Sequence, residues 1–164
     1  MPTLNVDGLT FTFPQTWQVS KYDEWSFYRS SFARQGEGIK AIDVLAITET
    51  NVAFFIEVKD YRHPDTEKPS HLPEAIASKV LHTLAAMLPA KLRANVDSER
   101  QLASAILACD SLSVIAHLEQ PQNHRPVVDP ADIQQKLRRL LRAVDAHPKV
   151  VSKSNLRGLN WTVT

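Results

Sequence analysis

The chain has 164 residues, of which 43% are hydrophobic and 23% charged, and its net charge is +1. Those values fit one soluble domain with a sizeable core. One cysteine excludes an internal disulfide and a Cys-rich zinc site, and four glycines exclude a collagen-like chain. No stretch approaches 18 consecutive apolar residues, and the N-terminus has no basic segment followed by an apolar run. The expectation is therefore no transmembrane helix, no signal peptide and a reducing, cytoplasmic setting. Charge is uneven along the chain. Residues 1–74 carry seven Lys+Arg against eleven Asp+Glu, and residues 75–164 carry twelve against seven. An acidic half that holds a cation and a basic half that holds a polyanion would produce this asymmetry, and so would an uneven solvated surface.

Residues 1–24 begin with alternating Leu4, Val6, Leu9, Phe11 and Phe13 around Asp7-Gly8, which predicts a short strand or hairpin. Pro14 breaks the pattern and opens a helical turn through Trp17. Trp25 to Ser31 alternates in an aromatic-rich run and predicts a strand. Gln35 to Gly38 predicts a turn, Ile39 to Thr48 a second strand, and Val52 to Lys59 a third. Residues 60–72 predict a polar loop. Pro73 suits a helix start, and Ile76, Val80, Leu84, Met87 and Leu88 follow at helical spacing until Pro89 ends or kinks the helix. Ser98 to Gln101 reads as a capping box for a helix carrying Leu102, Ile106 and Leu107. Leu112 to Leu118 predicts a buried strand, residues 120–128 a loop, and Asp129-Pro130 the start of a helix over 130–146. The tail from Val150 to Thr164 predicts a short strand pair. The order implies an α/β mixed sheet with helices on both faces, in a single domain over 1–164.

One constellation stands out. If the turn between the second and third strands centres on Thr50, paired residues sum to 100 and Asp43 lies opposite Glu57. Paired positions of an antiparallel hairpin have Cβ atoms about 4.5–5.5 Å apart on one face. Lys59, two residues beyond Glu57, shares that face. Val58 belongs to the opposite face, and the apolar run from Ala53 to Ile56 would hold the polar residues rigidly. Two adjacent carboxylates repel unless a cation lies between them, and Mg²⁺ or Mn²⁺ is a hard cation suited to carboxylate oxygens. The lysine would orient an attacking water or stabilise developing negative charge. Glu-x-Lys by itself carries no weight, because an exposed strand end with alternating charge explains it equally well. Weight comes from the facing Asp43, since Asp is depleted in mid-strand.

These residues, Ile42-Asp43-Val44-Leu45 and Phe55-Ile56-Glu57-Val58-Lys59, resemble the core of the PD-(D/E)xK nuclease superfamily, with its restriction-endonuclease-like fold. The resemblance covers about residues 15–120, and the helix and tail over 129–164 lie outside it. It implies a three-strand meander plus a returning strand, flanked by helices. It also implies a metal-dependent nuclease in which Asp43 and Glu57 hold Mg²⁺ (or Mn²⁺) and Lys59 orients the water. Ile42 stands at the motif's Pro position, where many members also lack Pro, and a helix over 98–109 is additional to the family core. Many members add a carboxylate from the first helix, a place that Glu24 or Asp23 would fill. The implied partner is nucleic acid, DNA before RNA, and a homodimer suits the cutting of two strands. A catalytically inactive member serving as a binding or assembly module is the alternative.

Other residues have plainer roles open to them. Arg62 and His63, just beyond Lys59, would grip a phosphate or lie in a solvated loop. Lys79 and His82 share a helix face, where Lys79 would contact phosphate or remain a surface lysine. Lys136, Arg138, Arg139 and Arg142, with Lys149, Lys153 and Arg157, form a nucleic-acid-tracking patch or ordinary complements to a helix dipole. Trp17, Trp25 and Trp161 read as core rather than base-stacking platforms, His117 as a hydrogen-bonded core histidine, and Cys109 as buried filler. No zinc-hydrolase helix, phosphate-binding loop, dinucleotide fingerprint or nucleophile elbow occurs in the sequence.

Overall fold

A computed structural model describes residues 1–67, 70–122 and 125–164. The remaining four positions fall in the two predicted loops over 60–72 and 120–128 and lie outside the described residues. A five-stranded mixed sheet organises the molecule, in the order β3-β4-β5-β6-β7. Strands β3 (Gln18–Lys21), β4 (Val44–Ile47) and β5 (Val52–Asp60) run antiparallel as a meander. Strand β6 (Ser111–Glu119) returns parallel to β5, and β7 (Lys149–Val151) adds parallel to β6. A smaller sheet has the order β1-β2-β8, from Thr3–Val6, Leu9–Thr12 and Thr162–Val163.

The two faces of the large sheet are covered differently. Phe27 of α1 (Ser26–Ser30), Ile76 and Val80 of α2 (Leu72–Arg93), Leu102 of α3 (Asp97–Leu107) and Leu137 of α4 (Pro130–Leu140) pack in one cluster with Leu45, Phe55 and Ala116. The opposite cluster joins Val44, Ile56, Val58 and Ile115 to Leu9, Phe11, Phe13 and Trp161 from the small sheet and its surroundings. Helices on both faces were expected. Among the described residues the helices cover one face, and the β1–β2 hairpin with β8 covers the other. The hydrophobic hairpin at the N-terminus supplies the second layer, so no helix is needed there.

Several elements follow directly from local chemistry. Asp7 and Gly8 both have positive φ, at 51° and 79°, as a two-residue hairpin turn between Val6 and Leu9 requires. β5 and β6 are buried on both faces over most of their length, which explains their nearly continuous apolar runs. Trp17, Trp25 and Trp161 are buried, and so is His117. Cys109 is half-buried, with its Sγ donating to the Ala105 carbonyl.

Other expectations need correction. The run from Trp25 to Ser31 contains helix α1 (Ser26–Ser30) instead of a strand, and the first meander strand is Gln18–Lys21. Alternating aromatics over so short a run suit either state, and a distant contact decides. The buried Glu99 carboxylate accepts hydrogen bonds from Ser26 N at 2.7 Å and Phe27 N at 3.1 Å, satisfying two donors at the start of α1. The proposed capping box at 98–101 is absent for the same reason, since the N-cap is Val96 without a side-chain bond and Glu99 serves α1. The second strand is only Val44–Ile47, shorter than 39–48. Helix α2 continues through Pro89 to Arg93. The carbonyl that Pro89 leaves without a partner belongs to Ala85, an exposed residue whose carbonyl water can serve. The last helix ends at Leu140, before the predicted 146. The tail strands do not pair with each other. β7 joins the large sheet and β8 joins β2.

Candidate active site at the end of the β4–β5 hairpin

The register matches the expectation. Val44 pairs with Ile56, Leu45 with Phe55, Ala46 with Phe54 and Ile47 with Ala53, each summing to 100. Asp43 immediately precedes the first residue of β4, level with Glu57. Because β4 starts only after it, β5 loses its antiparallel partner beyond Ile56. The Asp43 carboxylate fills the gap, with Oδ2 accepting from Val58 N at 2.7 Å. The Asp43 carbonyl accepts from Tyr22 N at 3.0 Å, which ties the chain after β3 to the same corner. From the helix side, Thr83 Oγ1 accepts from Ile42 N at 3.0 Å and donates to the Lys79 carbonyl at 2.7 Å. Sheet and helix thus fix Asp43 and Lys79 relative to each other.

Glu57 is fully buried. Its Oε1 lies 2.5 Å from Lys79 Nζ and 3.7 Å from Lys59 Nζ. Its Oε2 is buried with no donor within hydrogen-bond distance. Burial, and then the neighbouring charge of Asp43, push the Glu57 carboxyl up to about 8, against the pull of the two lysines. Lys79 moves up as well. Desolvation draws it down, but the carboxylates of Glu57, Asp43 and Asp23 outweigh that.

The expected residues are sorted by this geometry. Asp43, Glu57 and Lys59 come together, and Lys79 joins them as a direct ion-pair partner of Glu57 rather than as a surface lysine. Glu24 does not join. It is half exposed and pairs with Lys21 at 2.6 Å. The residue beside it, Asp23, is the one near the pair. Burial and then the charge of Asp43 raise its pKa, and its Oδ1 is buried without a partner. Arg62 does not join either. Its guanidinium grips Asp60 through Nε at 2.9 Å and Nη2 at 2.7 Å. That hydrogen bond, ahead of the opposing desolvation, holds Asp60 below the usual carboxylate range. Asp60 is odd-numbered steps away from Glu57 and Lys59 along β5, so it belongs to the opposite face. On that face His117 Nε2 lies 2.8 Å from Glu119 Oε1, which also accepts from Lys153 N at 2.6 Å.

Sequence reasoning missed the Lys79–Glu57 pair and the anchoring role of Thr83. A signal was present. Lys79 lies three residues after Ile76 and four before Thr83, at the margin of the buried helix face.

Carboxylate oxygens are the donor set that a hard divalent cation prefers. Glu57 Oε2 is available, and Asp43 Oδ1 has no protein donor among the described residues. Any such ion at this corner would have these two carboxylates as its protein ligands. Among the described residues, no group of three His, Cys, Asp or Glu side chains is arranged to hold one.

No protein-family model and no solved structure matches the chain. A cysteine–tRNA ligase of Neisseria meningitidis serogroup A / serotype 4A (strain DSM 15465 / Z2491) is 28% identical over 151 residues, covering 74% of this chain and 22% of that protein. The chain spans about a fifth of the length of this curated relative. No helix of the described residues is long and apolar enough to cross a membrane.

Proposed function

We propose that the chain is a metal-dependent nuclease with a restriction-endonuclease-like core, acting on phosphodiester bonds of nucleic acid. The observation that supports this reading is the convergence of Asp43, Glu57 and Lys59 at one sheet end, with a buried Glu57 oxygen left without a donor. Asp43 and Glu57 would hold Mg²⁺ or Mn²⁺, with Asp23 adding negative charge behind them. The ion would supply a more acidic bound water and neutralise charge on the phosphate. Lys59, with its ammonium partly exposed, orients the attacking water and stabilises charge as it develops. Lys79, held at Glu57 Oε1, is the other cation within reach of a phosphate. Arg62, bound to Asp60, is left out of this reading.

One observation favours a second reading, a catalytically inactive module of the same fold. Lys79 already supplies Glu57 with a counter-ion, so the carboxylate pair does not depend on a metal for neutralisation. Isothermal titration with Mn²⁺ separates the two. Wild type should bind and Asp43→Asn should not, and binding should make a nucleic acid substrate cleavable. Lys59→Ala should bind the ion and fail to cleave. A wild type that binds no Mn²⁺ even with an oligonucleotide present would support the inactive module.

A further inference from the structure

A cavity of about 240 Å³ lies at the carboxyl ends of the parallel strands β6 and β7, beside the end of β5. In open α/β sheets, ligands bind in the crevice outside the carboxyl ends of the strands. Leu118, Val150, Val151 and Pro130 give this cavity apolar walls. Glu119 also lines it, 5% exposed and paired in register with Asp60 of β5. Its Oε1 is occupied by His117 Nε2 and by Lys153 N. Its Oε2 has no donor among the described residues, yet it is not sealed from the cavity as Glu57 Oε2 is sealed in the core.

The only ion-pair contact of Glu119 among the described residues is His117. Burial draws the His117 pKa down, ahead of the opposing pull of Glu119, so the ring stays neutral. Asp60, by contrast, holds the Arg62 guanidinium through two bonds. A buried carboxylate is costly unless donors reach it, so the open oxygen calls for an N–H group from outside the fold. The rest of the pocket is complementary in sign. Gln120 spends its carboxamide oxygen on Val128 N, which leaves its NH₂ as a donor, and Arg62 and the exposed Lys153 bring positive charge. The ligand that suits these groups has N–H donors at one end, negative charge at the other and an apolar body between.

We propose that this pocket binds one nucleotide unit, with Glu119 Oε2 accepting from the amino edge of its base and Lys153 and Arg62 serving its phosphate. Among ligands of this polarity, the choice of a nucleotide rests on the nuclease reading. Leu118 is paired in register with Lys59, so the pocket lies one strand away from the candidate active site, at the same end of the sheet. Cytosine presents an amino group where uracil presents a carbonyl oxygen, which a carboxylate repels. The pocket therefore favours cytosine over uracil.

Calorimetric titration of the intact chain, in a chelator, with CMP and UMP and with oligocytidylate and oligouridylate tests this. Wild type should bind the cytosine ligand at least about 10-fold more tightly than the uracil one. A preference confined to the oligomers assigns the pocket to a base within a strand, and a preference shown by CMP itself assigns it to a free nucleotide. Glu119→Gln keeps an oxygen for His117 and Lys153 N and turns an NH₂ toward the base, so the preference should vanish or reverse toward uracil. Lys153→Ala, on an exposed side chain, should weaken both ligands alike. No preference in either form would overturn the proposal, as would a Glu119→Gln chain with the wild-type preference. A Lys153→Ala chain that binds as wild type would overturn the placement of the phosphate. The preference should persist in Asp43→Asn, so loss of the metal site and loss of base selection are read separately.

Discussion

Replacing Glu57 by glutamine keeps the shape of the side chain and its contact with Lys79, and removes the buried charge. In the folded chain without metal, burial and Asp43 raise the Glu57 carboxyl to about 8, against an unfolded value of 4.5. A carboxyl raised in the folded state stabilises the protein fully below its unfolded pKa. That stabilisation is lost as pH rises toward the folded pKa, because the native state holds a proton the unfolded chain releases. Wild type should therefore lose stability relative to Glu57→Gln between pH 4.5 and 8. At 1.36 kcal/mol per pKa unit, the difference between pH 5 and pH 8 is about 3–4 kcal/mol. Urea denaturation of both proteins at the two pH values, in a chelator, reads this as a relative midpoint shift on the order of 1–2 M. Added Mn²⁺ should restore wild type at pH 8 and leave the glutamine variant unchanged. A stability difference independent of pH would refute the reasoning, as would a variant less stable than wild type at pH 8.

Three further outcomes are expected. Lys79→Met should tighten Mn²⁺ binding measured by calorimetry, because the ammonium no longer occupies Glu57 Oε1, and unchanged or weaker binding would remove Lys79 as a competitor. Glu99→Ala should destabilise the chain by about 1–3 kcal/mol in chemical denaturation, since Ser26 N and Phe27 N both lose their acceptor. Asp43→Ala should add a structural cost of roughly 1–3 kcal/mol to the loss of metal binding, because it strips the Val58 N–H of its partner. Asp43→Asn, which can still accept that bond, should lose the metal with a smaller change in melting temperature.

Local chemistry determined more of the site than of the fold around it. The Asp7-Gly8 turn, the apolar run of β5 and the turn over 48–51 are short-range signals. A hairpin whose turn is fixed has its register fixed as well, which is why Asp43 could be set against Glu57 and Lys59 from spacing alone. Other assignments depended on residues far apart in the chain. Ser26 to Ser30 is helical because Glu99, more than seventy residues away, caps it. The tail strands joined two different sheets because each met an open edge there. Lys79 reached Glu57, and Arg62 turned to Asp60, according to which face of β5 each partner occupied and how α2 lay across the sheet. Sequence periodicity tells which residues share a face. Only the packed structure decides what each face meets, because that depends on long-range contacts whose favourable energy appears once the whole core has assembled.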